Sequence, residues 1–377
     1  MKMPGMESAC SSKAVCAVFF AFFFLTFAFD AYSIDPTNKL DFDGDGKADI
    51  AVYREGAAND RVSSQAYSGS YWYYLGSTSG FASFAWGRTL DVPIPADYVG
   101  DSKTDPTIFR WFEPGLSPFD GNTIWISGGA VRAFGNTTGR KMGRNFVPET
   151  GGAAQKAEIG EFQLVNIFYD QESEPPFYQY RLYWQIGSSN LDYIVTNVPS
   201  GQTASSYNQV PVPDDYNNDG KSEAAVFNTN TGCYHVWLGN PLTDPLTPPC
   251  FGGGYTPAPG DYDRDGWVDY GVFKSTGSSS FEWKFISAQS GGTPTTFSLT
   301  TSWSGTGTPV AADYDGDGVT DYAVAQSANG SWNWTIRKSG CPSNINLPCT
   351  PSTAAPVTFG FSSDTLLASP YFNDPWY

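Results

Sequence analysis

Aspartate recurs along this chain at one spacing that could hold a cation. The segment D-F-D-G-D-G-K-A-D begins at Asp41, D-Y-D-R-D-G-W-V-D at Asp261 and D-Y-D-G-D-G-V-T-D at Asp313. Each puts carboxylates at positions 1, 3, 5 and 9 of a tight turn, with glycine at position 6 where the chain must bend sharply. The candidate ligands are Asp41, Asp43, Asp45 and Asp49, then Asp261, Asp263, Asp265 and Asp269, then Asp313, Asp315, Asp317 and Asp321. The backbone carbonyl of position 7, in Lys47, Trp267 and Val319, completes each set. Several hard oxygens within one turn suit calcium, which takes about 6–8 of them.

Two copies are thinner. The loop at Asp215 keeps Asp215, Asp219 and the Lys221 carbonyl, with Asn217 at position 3 and Glu223 at position 9. The loop at Asp97 keeps Asp97, Asp101, the Lys103 carbonyl and Asp105, but Val99 takes position 3 and Ser102 position 6. A worn copy at Glu161 has lost its ligands. Asp-Gly pairs also make ordinary turns, yet three full copies at regular intervals favour calcium, at about three to five sites.

Other chemistry is sparse, and no residue is assigned a catalytic role. His235 is the only histidine, which nearly excludes a Ser-His-Asp or zinc-histidine site. It lies in an aromatic run beside Trp237 and reads as a packed strand residue. The obvious acids for glycoside hydrolysis are already committed to the loops. Beyond Cys10 and Cys16 the chain carries Cys233, Cys250, Cys341 and Cys349, with no C-x-x-C pair to suggest zinc. Three pairings are open. Cys233–Cys250 and Cys341–Cys349 are favoured, because each brackets one Pro-rich excursion. Asn136, Asn329 and Asn333 stand in N-x-S/T sequons.

Acidic residues outnumber basic ones by 38 to 21, and the net charge of −17 excludes a nucleic-acid partner in practice. Lys2 and Lys13 precede an apolar run from Ala14 to Phe29, and Ala31 and Ser33 follow at a spacing signal peptidase accepts. Residues 1–33 read as a cleaved signal peptide. The run is short for a bilayer span, so the membrane enters only if this segment is retained. The expected location is secreted, extracellular or at the cell surface, with the periplasm as the alternative.

The loops must be positioned by something regular. They begin about 46–64 residues apart, counting the worn copy, which is close to the length of a four-stranded propeller blade. After each loop comes a short apolar run such as Ile50 to Tyr53, then an aromatic strand such as Y-H-V-W-L from Tyr234. A third strand follows, and a Pro-containing lead-in such as V-P-V-P-D before Asp215 makes the fourth. The repeats predict an all-β fold: a propeller over residues 34–377 with six blades. A seventh would fit if residues 112–155 hide a degenerate one. The C-terminal strand near Leu366 is expected to join the first blade, which has little lead-in of its own, and so close the ring.

The acidic loop, the A-V-F strand after it and the P-V-P-D-D-Y lead-in resemble FG-GAP/VCBS-type repeats, the calcium-binding blades of integrin α-chains and many exported bacterial proteins. The resemblance spans most of residues 36–377 and is specific at the five acidic loops. It implies a propeller, loop-bound calcium and extracellular work, and it does not imply one activity. The expected role is a binding, adhesion or structural module that meets a protein or glycan ligand on its loop faces. The alternative is a carbohydrate-active enzyme, a lyase or glycoside hydrolase, on the same scaffold. Exported protein should begin near Ile34. N-terminal sequencing checks this, and mature protein still starting at Met1 would overturn it.

Overall fold

The computed structural model describes residues 40–56, 69–111, 123–128, 131–133, 140–145, 157–170, 177–186, 189–199, 209–237, 250–341 and 349–367. The chain divides into two units, Met1–Ser33 and Ile34–Tyr377, and every described residue belongs to the second. The expected signal segment and Asn136 lie outside the described residues. Among the described residues no helix is long and apolar enough to cross a membrane.

Among the described residues every regular element is a strand. The first three are β1 (Ile50–Arg54), β2 (Tyr71–Gly76) and β3 (Gly80–Ala85). Next come β4 (Val92–Pro93), β5 (Thr107–Arg110), β6 (Thr123–Ile126) and β7 (Val131–Ala133). Then follow β8 (Arg140–Arg144), β9 (Glu158–Asp170), β10 (Phe177–Ile186) and β11 (Ser189–Pro199). Beyond them lie β12 (Gln209–Pro211), β13 (Ala224–Asn228) and β14 (Cys233–Trp237), then β15 (Thr256–Pro257), β16 (Tyr270–Ser275), β17 (Ser280–Ser287) and β18 (Gly291–Thr300). The last are β19 (Gly307–Pro309), β20 (Tyr322–Ala328), β21 (Ser331–Lys338), β22 (Ser352–Thr353), β23 (Val357–Phe361) and β24 (Thr365–Leu366).

Neighbours in the chain pair antiparallel, in the orders β4-β5-β6-β7, β12-β13-β14, β15-β16-β17-β18 and β19-β20-β21-β22, with β23 also on β21. In each, the lead-in strand enters, the acidic loop turns the chain, and the apolar strand returns beside it. That returning strand is buried along most of its length, as in β1, β13 and β16. Alternation is lost there because neighbouring blades cover both faces. The outer strand β18 is mostly exposed. Side chains fill the gaps between blades: Tyr216 and Phe227 meet Tyr255 and Tyr270 in one cluster, and Val52 and Leu366 meet Val310 and Trp334 in another.

The expected count of six blades, or seven, is corrected. Five blades of three to four strands are built on the repeat, the fourth position of the last being shared by β22 and β23. The remaining sheet, β11-β10-β9-β8, departs from it. Its β9 has 13 residues, where β1 and β5 have 5 and 4. The sequence before it carries no D-x-D-x-D-G run to set where the strand begins. The stretch 112–155 holds no separate blade in its described parts, which supply β6, β7 and β8. The worn loop also starts earlier than expected. Arg144 pairs with Glu158 as Ala96 pairs with Asp105, so Asn145 stands at position 1, and Glu161 lies inside β9.

One backbone hydrogen bond recurs between successive loops. The N–H of position 8 donates to the carbonyl of position 1 in the loop before it. Thr104 donates to Asp41 at 2.7 Å, Ala157 to Asp97 at 2.5 Å and Ser222 to Asn145 at 2.6 Å. Val268 donates to Asp215 at 3.2 Å, Thr320 to Asp261 at 2.7 Å and Ala48 to Asp313 at 2.8 Å. The last of these returns to the first loop and closes the circle.

The C-terminal strand completes that closure. β24 pairs with β1 through Val52↔Leu366 and Tyr53↔Thr365, giving the order β24-β1-β2-β3. Arg54 clasps Asp364 with Nε at 2.8 Å and Nη2 at 2.9 Å. Arg110 clasps Asp91 in the same way in the next blade, at 2.8 and 2.7 Å. Removing one partner of a fully buried pair costs about 3–5 kcal/mol, since a charge is stranded. Asp91→Ala should approach that range, with Arg110 only 9% exposed. Asp364→Ala should cost less, about 1–2 kcal/mol, because Arg54 keeps 32% of its side chain in water. Urea unfolding of both variants measures the difference, and equal costs would contradict it.

Candidate metal centres

The same hydrogen bonds build every loop. The position 1 carboxylate takes the N–H groups that follow it: Asp41 accepts from Gly44 at 2.6 Å, Asp45 at 3.2 Å and Gly46 at 2.7 Å. Asp313 repeats this with Gly316, Asp317 and Gly318, and Asp97 with Gly100, Asp101 and Ser102. Position 5 accepts from position 7, as Asp45 does from Lys47 at 3.0 Å. Position 9 reaches back to position 2: Asp49 to Phe42, Asp269 to Tyr262, Asp321 to Tyr314 and Glu223 to Tyr216, at 2.8–2.9 Å. Its other oxygen accepts from the end of the aromatic strand, through Ser77, Ala288 or Ser339. Position 6 needs a left-handed backbone, with φ of 83° at Gly46 and 85° at Gly318. Ser102 adopts 66° there, a conformation that costs a non-glycine residue about 1 kcal/mol or more.

Position 3 stands apart. Asp43 Oδ1 and Asp315 Oδ1 are buried and have no hydrogen-bond partner. A buried unpaired carboxylate oxygen is costly unless something else satisfies it. A cation would, and three neighbouring acids supply the rest of a shell of hard oxygens. Asp41, Asp43 and Asp45 bring one carboxylate oxygen each within 4.8 Å of the others. So do Asp215, Asp219 and Glu223, then Asp261, Asp263 and Asp265, and then Asp313, Asp315 and Asp321. These donor sets fit calcium.

The structure thus gathers four of the five predicted loops into acidic clusters. Asp97, Asp101 and Asp105 form no such cluster among the described residues, since Val99 faces solvent where the third carboxylate would stand. The position 7 residues Lys47, Lys103, Lys221, Trp267 and Val319 are held by N–H bonds to position 5. Asn217 accepts from Asp219 at 2.9 Å. The sequence reading missed the hydroxyls that reach in from the next hairpin: Ser77 and Thr78 to Asp45, Ser287 to Asp265 and Ser339 to Asp317. A serine just past the aromatic strand was the available signal. It also missed the tyrosine at position 2, whose hydroxyl donates four residues back: Tyr98 to Ile94, Tyr216 to Val212, Tyr262 to Ala258 and Tyr314 to Val310.

Both expected disulfides are formed, Cys233–Cys250 and Cys341–Cys349. The second anchors the cap of a loop, because the Cys341 N–H donates to Asp317. Among the sequons, Asn329 is exposed in a hairpin turn, while Asn333 is 2% exposed and bonded to Thr358. His235 is half-buried on β14, and burial lowers its pKa.

Residues 215–272, two successive loops and the strands between them, match the FG-GAP-like repeat. This chain is a β-propeller that carries an FG-GAP-like repeat. No curated protein matches it.

The FG-GAP loops hold their carboxylates in a strained state of charge. Burial raises Asp261 from 3.8 to about 7, and Asp269 and Asp321 to about 8, with neighbouring acids pushing the same way. Glu223 rises from 4.5 to about 8 for the same reasons. A raised folded pKa means the stability these groups contribute is full below their unfolded pKa and is lost as pH rises through the folded one. In chelator, the FG-GAP propeller should therefore lose stability between about pH 4 and pH 8. Calcium needs the deprotonated acids, so its affinity should rise over pH 6–8. Melting curves in chelator and calorimetric titrations at several pH values check the two slopes, and slopes of the same sign would contradict the assignment.

Proposed function

We propose that this propeller is an exported binding or structural module braced by calcium in its acidic loops. The carrying observation is the pair of buried, unpartnered oxygens of Asp43 and Asp315, each inside a cluster of acids. Four clusters of one design, on a fold that matches the FG-GAP-like repeat, support calcium as the common occupant. Two disulfides support an oxidising compartment, and with it secretion or display at a cell surface. In this reading calcium is structural. It cancels repulsion among carboxylates already committed to the turn, and the loop faces are left to meet a protein or glycan ligand.

Calcium at millimolar levels, held with a Kd of about 0.1–1 mM, stabilises by about 1 kcal/mol per site. Four sites would then be a large part of a domain's ~5–15 kcal/mol. Chelation should lower the melting temperature by several degrees, and added calcium should restore it. Calorimetry should count four ions, with Asp101→Ala leaving that count unchanged. Unchanged melting together with no binding heat would reduce the loops to plain turns.

A further inference from the structure

We infer that the calcium loops of this propeller load as a linked set, each assisting its neighbour along one arc of the ring. The inference rests on the calcium reading above and goes beyond it. The four acidic clusters are not scattered. In the circle of loop-to-loop hydrogen bonds, the loop at Asp215 is followed by those at Asp261, Asp313 and Asp41, without a gap. The loops at Asp97 and Asn145, which form no cluster among the described residues, make up the other arc.

Within the acidic arc a single peptide unit belongs to two loops. The carbonyl of Val319 is the one that the loop spacing assigns as the position 7 ligand, and the N–H on the same peptide, that of Thr320, donates to the Asp261 carbonyl at 2.7 Å. The Lys47–Ala48 peptide joins the loops at Asp41 and Asp313 at 2.8 Å, and the Trp267–Val268 peptide joins those at Asp261 and Asp215 at 3.2 Å. A cation drawing on an amide oxygen polarises the amide and makes its N–H a stronger donor. That N–H grips the residue whose carboxylate is ligand 1 of the preceding loop. An ion in one loop therefore orders the first ligand of the loop before it. By linkage the effect is mutual. The side chains add contact across the same seam, since Lys47 packs over Gly316.

The loop at Asp97 supplies a test that spares the fold. It keeps the bonds of position 1 and position 9 with valine at position 3, so Asp315→Val should preserve the turn. Calcium is titrated calorimetrically into the full chain, wild type and variant. The expected result is a Hill slope above one in the wild type. In the variant one ion is lost, and affinity for the remaining three falls about fivefold or more. Asp43→Val, at the end of the arc with one loaded neighbour, should weaken the others less and serves as the second variant. One ion lost with the other affinities unchanged, in both variants, overturns the coupling and leaves the calcium reading standing. A wild type that binds no calcium overturns both.

Discussion

The propeller depends on one recurring bond, from the position 8 N–H of each loop to the position 1 carbonyl of the loop before. Blades of a propeller share no continuous sheet, so packing between them must be aligned by something directional. Side-chain clusters such as that of Tyr216, Phe227 and Tyr270 provide adhesion without direction. The backbone bond supplies register from one loop to the next. It survives where the repeat itself has decayed, since Ala157 and Asn145 keep both halves of it. The hydrogen bond, rather than the acidic sequence, is thus the invariant of this ring.

The carboxylates answer a different need. A tight turn leaves several N–H groups without partners, and an aspartate at position 1 satisfies three of them at once, as Asp41 does. Positions 5 and 9 satisfy others. Gathering the acids needed for this buries them beside one another, and burial first, with like charge adding to it, raises Asp269, Asp321 and Glu223 to about 8. A cation would resolve the conflict in the four loops that gather acidic clusters. The other two reduce it by other means. Val99 removes a charge, while Arg144, 1% exposed, donates to the Pro213 carbonyl, and Asn145 donates to the Gly220 carbonyl.

What could be read in advance follows from the range of each interaction. The acidic spacing, the buried strand after it and the two disulfides are local, so nearby residues specify them. The closing strand was legible because the first repeat lacks a lead-in and the last has one to spare. The hairpin hydroxyls were not, because Ser77 and Asp45 are brought together only by the fold. The worn loop was misplaced at Glu161 for a related reason. With asparagine, Asn145, in place of the first aspartate and no acidic spacing after it in the sequence, no residue type marks where the loop starts. Only the pairing of Arg144 with Glu158 does. The blade count failed with it, since strand lengths without a turn to set them cannot be read from period-two alternation.

Each of β1, β5 and β20 is secured at two ends by different chemistry. Its entry is tied to the loop ring. At its exit, Arg54, Arg110 and Gln326 occupy one position of the repeat, and each reaches the connection that leads into its own blade. Arg54 grips Asp364, Arg110 grips Asp91, and Gln326 donates to the carbonyls of Trp303 and Gly305. None of these contacts involves a loop carboxylate. Loss of a cation from a loop would therefore act at the entry of the strand and leave the contacts at its exit untouched. That separation lets charge repulsion be concentrated in the loops without unfolding the blades. It would also confine the action of calcium to the loop end of the strand, since the Arg and Gln clasps hold the other end.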